Sequence, residues 1–243
     1  LLVNNPTESR WDGRMTTTEV GLWARALFQG AKLLRSVAGA GGEALAAAAE
    51  LERMGRRALA AYLRHGYDAG AQRYFGRLNL DGTPNLEVRE TPYMPGEHSS
   101  VWEFLFPTHD YPMSLGMATL DCLQEVVQKE MESTDALFTE GATRLADAAI
   151  AEFRAWPEGQ VRYAEHYGRI IVYLAEYARI AARPRYRDVA HEVASEALSL
   201  LERNGMLVGR TTANWYDAID GVGYLLLALL YLETGDQRAL DAF

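Results

Sequence analysis

The chain has 243 residues, of which 49% are hydrophobic and 23% charged, a composition typical of a globular protein with a sizeable core. Its net charge of -9 at pH 7 argues against a general binder of nucleic acid or of acidic membranes, because such binding depends on clustered Lys and Arg. The sequence has no apolar run of the roughly 18 residues that a membrane span requires, and its single cysteine, Cys122, excludes an intramolecular disulfide.

The predicted helices follow one another without a Ser- or Pro-rich linker, so residues 1–243 are predicted to form a single domain. The chain opens on Leu1 without an initiator Met, and residues 239–243 resemble the start of another helix. These ends indicate a fragment or a processed product, from which any signal peptide would have been removed. The compartment, cytoplasmic or secreted or periplasmic, is therefore left open.

The first predicted helix begins at the segment Thr16–Glu19, where a threonine can cap backbone amides and an acidic residue favours the first turn. Apolar residues then recur at i, i+3, i+4 and i+7 from Val20 onward. A second helix, rich in alanine and charged residues, is predicted from about Glu43 to Leu63, after the glycine-rich break at 39–42.

Short alternating runs then replace the helical pattern. Residues 72–78 and 86–90 alternate in polarity and are joined across Asp81–Asn85, which contains typical turn residues. We predict a short β-hairpin near 72–90. Five further helices are predicted beyond it, near 113–129, 136–155, 163–181, 186–203 and 215–233.

A glycine recurs near the start of alternate predicted helices. The positions are Gly21, Gly116, Gly168, Gly221 and Gly223. Their spacing is roughly 50 residues or twice that, which fits one inner and one outer helix per repeat. A small residue early in an inner helix would let neighbouring backbones approach closely. The alternative is that these glycines only relieve crowding in an ordinary helix bundle.

The segments 220–236 and 111–120 resemble the helix that recurs in (α/α) toroid proteins of the six-hairpin glycosidase type. That helix style is shared by unsaturated glucuronyl hydrolases, sugar epimerases, polysaccharide lyases and lanthionine cyclases. The resemblance implies an all-α fold, an (α/α) toroid or an incomplete (α/α)6 barrel, and a carbohydrate substrate. The predicted helices are too few for the six hairpins of a closed ring, so either the ring is incomplete or some of its helices are missing from this chain.

In such a toroid the ligand would meet the N-terminal ends of the inner helices. Aromatic and ionisable residues concentrate before these helices, a combination typical of sugar sites because aromatic faces stack on pyranoses and charged groups bind hydroxyls. The predicted substrate-binding residues are Trp11, Asp12, Arg14, His98, Trp102, Tyr111, Trp215 and Tyr216.

The segment around Glu165–Arg169 is the densest ionisable set within a predicted helix. Arg162, His166 and Arg169 are spaced to share one helix face. A lyase acting on a polyuronide needs a cation for the substrate carboxylate, a base and an acid; Arg169, His166 and Tyr167 are suitable residue types. The alternative is an outward-facing basic stripe.

A hydrolase would instead need two opposed carboxyl groups. Asp110 and Asp217 are the best candidates, although Asp217 and Asp220 also fit a helix cap. An epimerase would use two opposed bases, for which His109 and His166 are candidates.

These alternatives lead to one overall prediction, a carbohydrate-active enzyme that cleaves an oligo- or polysaccharide, with a lyase slightly favoured over a glycoside hydrolase. A non-catalytic toroid that binds a glycan or a protein is the alternative from a different class. The five histidines show no His-x-x-x-His or Cys/His ligand spacing, so no metal site and no cofactor are predicted. No nucleic-acid or membrane partner is predicted, and the oligomeric state is left open.

Overall fold

The computed structural model describes residues 14–37, 41–88, 101–103, 113–126, 134–216 and 221–243. These residues are predominantly helical, which confirms the all-α prediction. Their helices are α1 (Thr17–Ser36), α2 (Gly42–His65), α3 (Ser114–Val126), α4 (Thr134–Arg154), α5 (Ala164–Ile180), α6 (Pro184–Leu201) and α7 (Val222–Thr234), followed by a 3-10 helix (Gln237–Ala242).

Short antiparallel strand pairs accompany the helices. The strands are β1 (Arg14–Thr16), β2 (Tyr67–Asp68), β3 (Arg73–Tyr74), β4 (Arg77–Asn79), β5 (Glu202–Arg203) and β6 (Met206–Leu207). Strand β1 pairs with β4, β2 with β3, and β5 with β6. Within the described part of the chain, no helix is long and apolar enough to cross a lipid bilayer.

The described residues form two compact units. The first contains those up to Glu103 and those from Ser114 to Leu145; the second contains Met113 and those from Ala146 onward. Helix α4 contributes to both. The single domain of the sequence analysis stays a prediction.

Helix α1 begins where the sequence predicts, because Thr16 caps it. The Thr16 hydroxyl accepts the backbone N–H of Glu19 at 3.0 Å, and the Glu19 carboxylate accepts the backbone N–H of Thr16 at 3.3 Å. This reciprocal pair is a capping box, which satisfies two amides that the first turn would otherwise leave without partners.

In the first unit, α1 packs against both α2 and α3. The approach to α3 is close at Gly21, where an added Cβ would lie 2.5 Å from the backbone nitrogen of Leu115 and in contact with the backbone of Ser114. Only a residue without a Cβ fits between these two helices. The predicted role of this glycine, close approach of alternate helices, is therefore observed.

The second unit repeats this arrangement. Helix α5 packs against both α6 and α7. A Cβ on Gly168 would lie 2.8 Å from the backbone carbonyl carbon of Tyr224 in α7. Gly168 and Gly21 each occupy the fifth position of their helix, and each contacts the first turn of the second helix after its own.

The two units also share a backbone clasp, defined here as the hydrogen bond that ties the first residue of α1 or α5 to the chain beyond the next helix. In the first unit the N–H of Thr17 donates to the carbonyl of Gly76 at 3.1 Å. In the second unit the N–H of Ala164 donates to the carbonyl of Gly209 at 2.8 Å. These helix pairs are compatible with a helical toroid.

Strands do form in the first half of the predicted hairpin near 72–90, but they pair with other segments of the chain. Strand β3 pairs backward with β2, and β4 pairs with β1, which precedes the first helix. The chain does turn at Asp81–Asn85, where Leu78 and Pro84 form an isolated bridge. Residues 86–88 lie in no strand, and 89–90 are outside the described residues.

The last predicted helix begins later than expected. Trp215 and Tyr216 are not helical, and α7 starts only at Val222. The residue before it, Gly221, has φ of 80°, in the left-handed region, and a Cβ there would lie 2.7 Å from Cα of Glu165. A right-handed helix cannot continue through this residue.

Candidate functional site

The start of α5 gathers charged and aromatic side chains within the second unit. The chain enters the helix in an extended conformation at Tyr163, with φ of -111° and ψ of 140°. Two bonds to Thr211 hold Arg162 just outside the helix: its N–H donates to the threonine hydroxyl at 3.1 Å, and its carbonyl accepts the Thr211 N–H at 3.0 Å. The helix start is thereby fixed by tertiary hydrogen bonds.

Arg162, Tyr167, Glu196 and Trp156 form a compact group, called here the Glu196 cluster. Nη1 of Arg162 lies 2.8 Å from Oε1 of Glu196, and the Tyr167 hydroxyl donates to the same oxygen at 2.6 Å. The guanidinium of Arg162 sits 4.4 Å from the centre of the Trp156 ring. One carboxylate thus orients a cation and a phenol at once.

Tyr167 lies at the inner end of this cluster and has no exposed surface. Burial, and next the hydrogen bond to the Glu196 carboxylate, raise the pKa of the Tyr167 phenol above its ordinary value. The phenol therefore keeps its proton at neutral pH. It can donate a proton but cannot serve as a resting base.

Arg169 forms a second ion pair, with Glu165 one turn earlier in α5. Its Nε lies 2.9 Å from Oε1 of Glu165, and its guanidinium is 4.8 Å from the centre of the Tyr224 ring on α7. Arg162, in contrast, reaches toward Glu196 on α6. The two arginines that were predicted to share one face therefore contact different neighbouring helices.

His166 lies between these two groups along the chain. Its ring centre is 5.5 Å from that of Tyr163, and the residue is only 6% exposed. Arg169 is 5% exposed. The alternative of an outward-facing basic stripe is therefore wrong for both residues, because both are buried.

The predicted substrate-binding residues are distributed over both units. In the first unit, Arg14 is buried in β1 with Nη1 3.7 Å from Glu87, and Trp102 stacks on Phe75 with ring centres 4.6 Å apart. In the second unit, Trp215 and Tyr216 are 56% and 55% exposed. The remaining predicted residues, Trp11, Asp12, His98, His109, Asp110, Tyr111 and Asp217, lie outside the described residues.

Two members of the Glu196 cluster were missed by sequence reasoning. Glu196 lies 29 residues from Tyr167 along the chain and looks like an ordinary surface carboxylate of a helix. Trp156 directly follows the helix predicted near 136–155, and its position beside Pro157 is the one signal that the sequence offers for it. Within the described ranges, no three His, Cys, Asp or Glu side chains are grouped as metal ligands.

No protein-family model matches this chain, and no curated protein is significantly similar to it. The likeness to (α/α) toroids therefore depends on the helix pattern and on the packed helix pairs. Function must be argued from the side chains of the site.

Buried tyrosines should make the protein sensitive to alkali. Burial is the largest cause that raises the pKa of Tyr74 and of Tyr231 above the ordinary value of a tyrosine, to about 12. Since the unfolded chain loses these protons first, stability is full below about pH 10 and falls as pH rises toward about 12. Urea denaturation across this range should show the decline, and Tyr231→Phe should reduce its slope. A free energy of unfolding that stays constant through this range would contradict the prediction.

Proposed function

We propose that this chain is a carbohydrate-active protein that cleaves an oligo- or polysaccharide, with elimination beside a uronate favoured over hydrolysis. The observation that carries the proposal is the start of α5, where two arginines, a histidine, a phenol and two carboxylates lie within two helical turns or touch them. This residue set contains the cation, base and acid that an elimination needs.

In the proposed elimination, Arg169 neutralises the uronate carboxylate and thereby acidifies the neighbouring C5–H. His166 removes the C5 proton, the electron pair forms the C4–C5 double bond, and the C4–O bond breaks. The phenol of Tyr167, whose raised pKa keeps it protonated at rest, donates its proton to the leaving oxygen. The products are an unsaturated uronate and a new reducing end.

A substrate can reach these groups only if its own carboxylate replaces a carboxylate of the protein that now binds them. Glu165 now accepts the Arg169 bond, and Glu196 accepts the bonds of Arg162 and Tyr167. The Glu165 and Glu196 side chains are 23% and 36% exposed, so both can turn toward solvent. A substrate carboxylate would then take the place of one of them.

A second candidate is a non-catalytic toroid that binds a glycan or a protein. The complete burial of Tyr167 favours it, because a group that touches no solvent is a natural structural element. The exposed rings of Trp215 and Tyr216 supply flat surfaces of the kind that stack on sugars.

The direct test is incubation with uronate and neutral glycans while reducing ends and the ultraviolet absorbance of unsaturated products are followed together. We expect both signals to rise with a uronate substrate, and His166→Gln to lower the rate about 100-fold or more. The control His191→Gln alters an exposed histidine on α6 and should leave the rate unchanged.

Circular dichroism of each variant separates lost chemistry from lost folding. Reducing ends without unsaturated product would contradict elimination and favour hydrolysis. Saturable glycan binding without any product would favour the second candidate.

A further inference from the structure

A groove of about 520 Å³ opens in the first unit between α1, α2 and the turn after β4. Its volume falls within the range of small-molecule sites, about 300–1,000 Å³. It contains none of the side chains assigned above to catalysis or substrate binding. Its ligand class must therefore be inferred from its own lining.

The floor of the groove is apolar. Met15 and Leu27 contribute from the α1 side, and Met54 and Leu80 remain 43% and 39% exposed although they line a concave surface. No Phe, Tyr or Trp side chain of the described residues lines the groove. The lining therefore lacks the flat faces that stack on pyranose rings and instead suits an aliphatic chain.

One rim of the groove carries basic side chains. Arg53, Arg57 and His65 line it from α2, where intervals of four or eight residues place them along one side of the helix. His65 is held beside the turn, since a Cβ on Gly82 would lie 3.3 Å from its Cγ. The lining sets two arginines against two carboxylates, so its selectivity for an anion depends on which of these charges are already paired.

The two carboxylates of the lining are already engaged by their neighbours. Nε of Arg53 lies 2.8 Å from Oε2 of Glu50. Asp81 accepts the N–H of Thr83 at 2.9 Å and its hydroxyl at 2.6 Å, and these bonds lower the pKa of Asp81. The exposed guanidinium of Arg57 affects Glu50 only through its electrostatic field, and forms no hydrogen bond or ion pair with any of the described residues. Arg57 is thus left to bind an external anion.

We propose that this groove binds a small amphipathic carboxylate. The aliphatic chain lies on Met15, Leu27 and Leu80, and the carboxylate accepts hydrogen bonds from Arg57 and His65. Charge-assisted bonds of this kind are stronger than neutral ones. This site is independent of the proposed glycan chemistry, because it belongs to the first unit and uses none of the α5 residues.

The test is calorimetric titration of the full chain with decanoate below its micellar concentration, compared with decanol. We expect saturable binding of decanoate, weakened about tenfold or more by Arg57→Gln and by replacement of the carboxylate with the alcohol, which corresponds to about 1.4 kcal/mol. The matched control Arg64→Gln removes an exposed arginine of the same helix that does not line the groove, and should leave the affinity unchanged.

Leu80→Ser tests the apolar part and should also weaken binding. Thermal unfolding of each variant shows that the fold is retained. Equal affinity for decanoate and decanol would overturn the anionic half of the proposal. No saturable binding, or equal losses in Arg57→Gln and Arg64→Gln, would overturn the site itself.

Discussion

Replacement of Gly21 by alanine is expected to destabilise the first unit strongly. The new Cβ would lie 2.5 Å from the backbone nitrogen of Leu115, below the 3.0 Å that Cβ atoms essentially never approach. The atoms that this Cβ would meet belong to the backbone, which cannot move away as a flexible side chain can. Helices α1 and α3 must separate, so we expect a loss at or above the top of the range for overpacking, about 1–3 kcal/mol.

The corresponding change in the second unit, Gly168→Ala, can be ranked against Gly21→Ala by its expected loss of stability. A Cβ on Gly168 would lie 2.8 Å from the backbone carbonyl carbon of Tyr224, a milder overlap, so Gly168→Ala should destabilise less than Gly21→Ala. Gly223→Ala is the matched control: this helical glycine has nothing within 4 Å of the added Cβ. It should gain up to about 1 kcal/mol from helix propensity.

Urea denaturation followed by circular dichroism measures all three variants. The expected order of stability is Gly223→Ala, the unchanged protein, Gly168→Ala and Gly21→Ala. If Gly21→Ala matched the unchanged protein, α1 and α3 could not pack as closely as described.

Removal of the Glu176 carboxylate should produce the second large effect. Glu176 is 1% exposed and accepts bonds from Nε of Arg179 at 2.8 Å, from its Nη2 at 2.5 Å and from the hydroxyl of Tyr231. Glu176→Ala would leave a buried phenol without this acceptor and the arginine without its counter-charge. We expect a loss of about 3 kcal/mol, at the low end for a broken buried pair because the Arg179 side chain is 48% exposed.

Three further variants separate the contributions at this site. Glu176→Gln retains an acceptor oxygen and should lose less than Glu176→Ala. Tyr231→Phe combined with Glu176→Ala in a double-mutant cycle isolates the phenol bond. The control Glu192→Ala breaks an exposed pair with Arg154, 3.6 Å apart, and should change stability by about 0.5 kcal/mol or less. Equal losses in Glu192→Ala and Glu176→Ala would contradict the importance assigned to the buried carboxylate.

Local signals in the sequence were sufficient for most of the helices. The capping residue Thr16 and the proline at the start of α6 determine helix starts through the backbone of adjacent residues, so the sequence contains them directly. Two of the recurring glycines, Gly21 and Gly168, predicted which helices approach each other, because only residues without a Cβ permit such contacts, whereas Gly223 has open space around it. These features depend on steric rules that hold wherever the residue occurs.

Non-local pairing was not predictable in the same way. The run 72–78 alternates as a strand should, yet no local rule states that its second half pairs with β1, which lies before two helices. Likewise, the helical spacing of Arg162 and Arg169 suggested a shared face. Arg162 instead precedes the helix, held by bonds to Thr211, and reaches a carboxylate on another element. In both cases the outcome depends on distant segments.

The backbone clasp of each unit consists of main-chain atoms alone, the N–H of Thr17 or Ala164 and a glycine carbonyl. Every residue except proline has the backbone N–H that this bond needs as its donor. Substitutions can therefore accumulate at the donor positions while the geometry persists. The two units can thus share this tie without sharing the residues that form it, and superposition of their Cα traces would test how far the common plan extends.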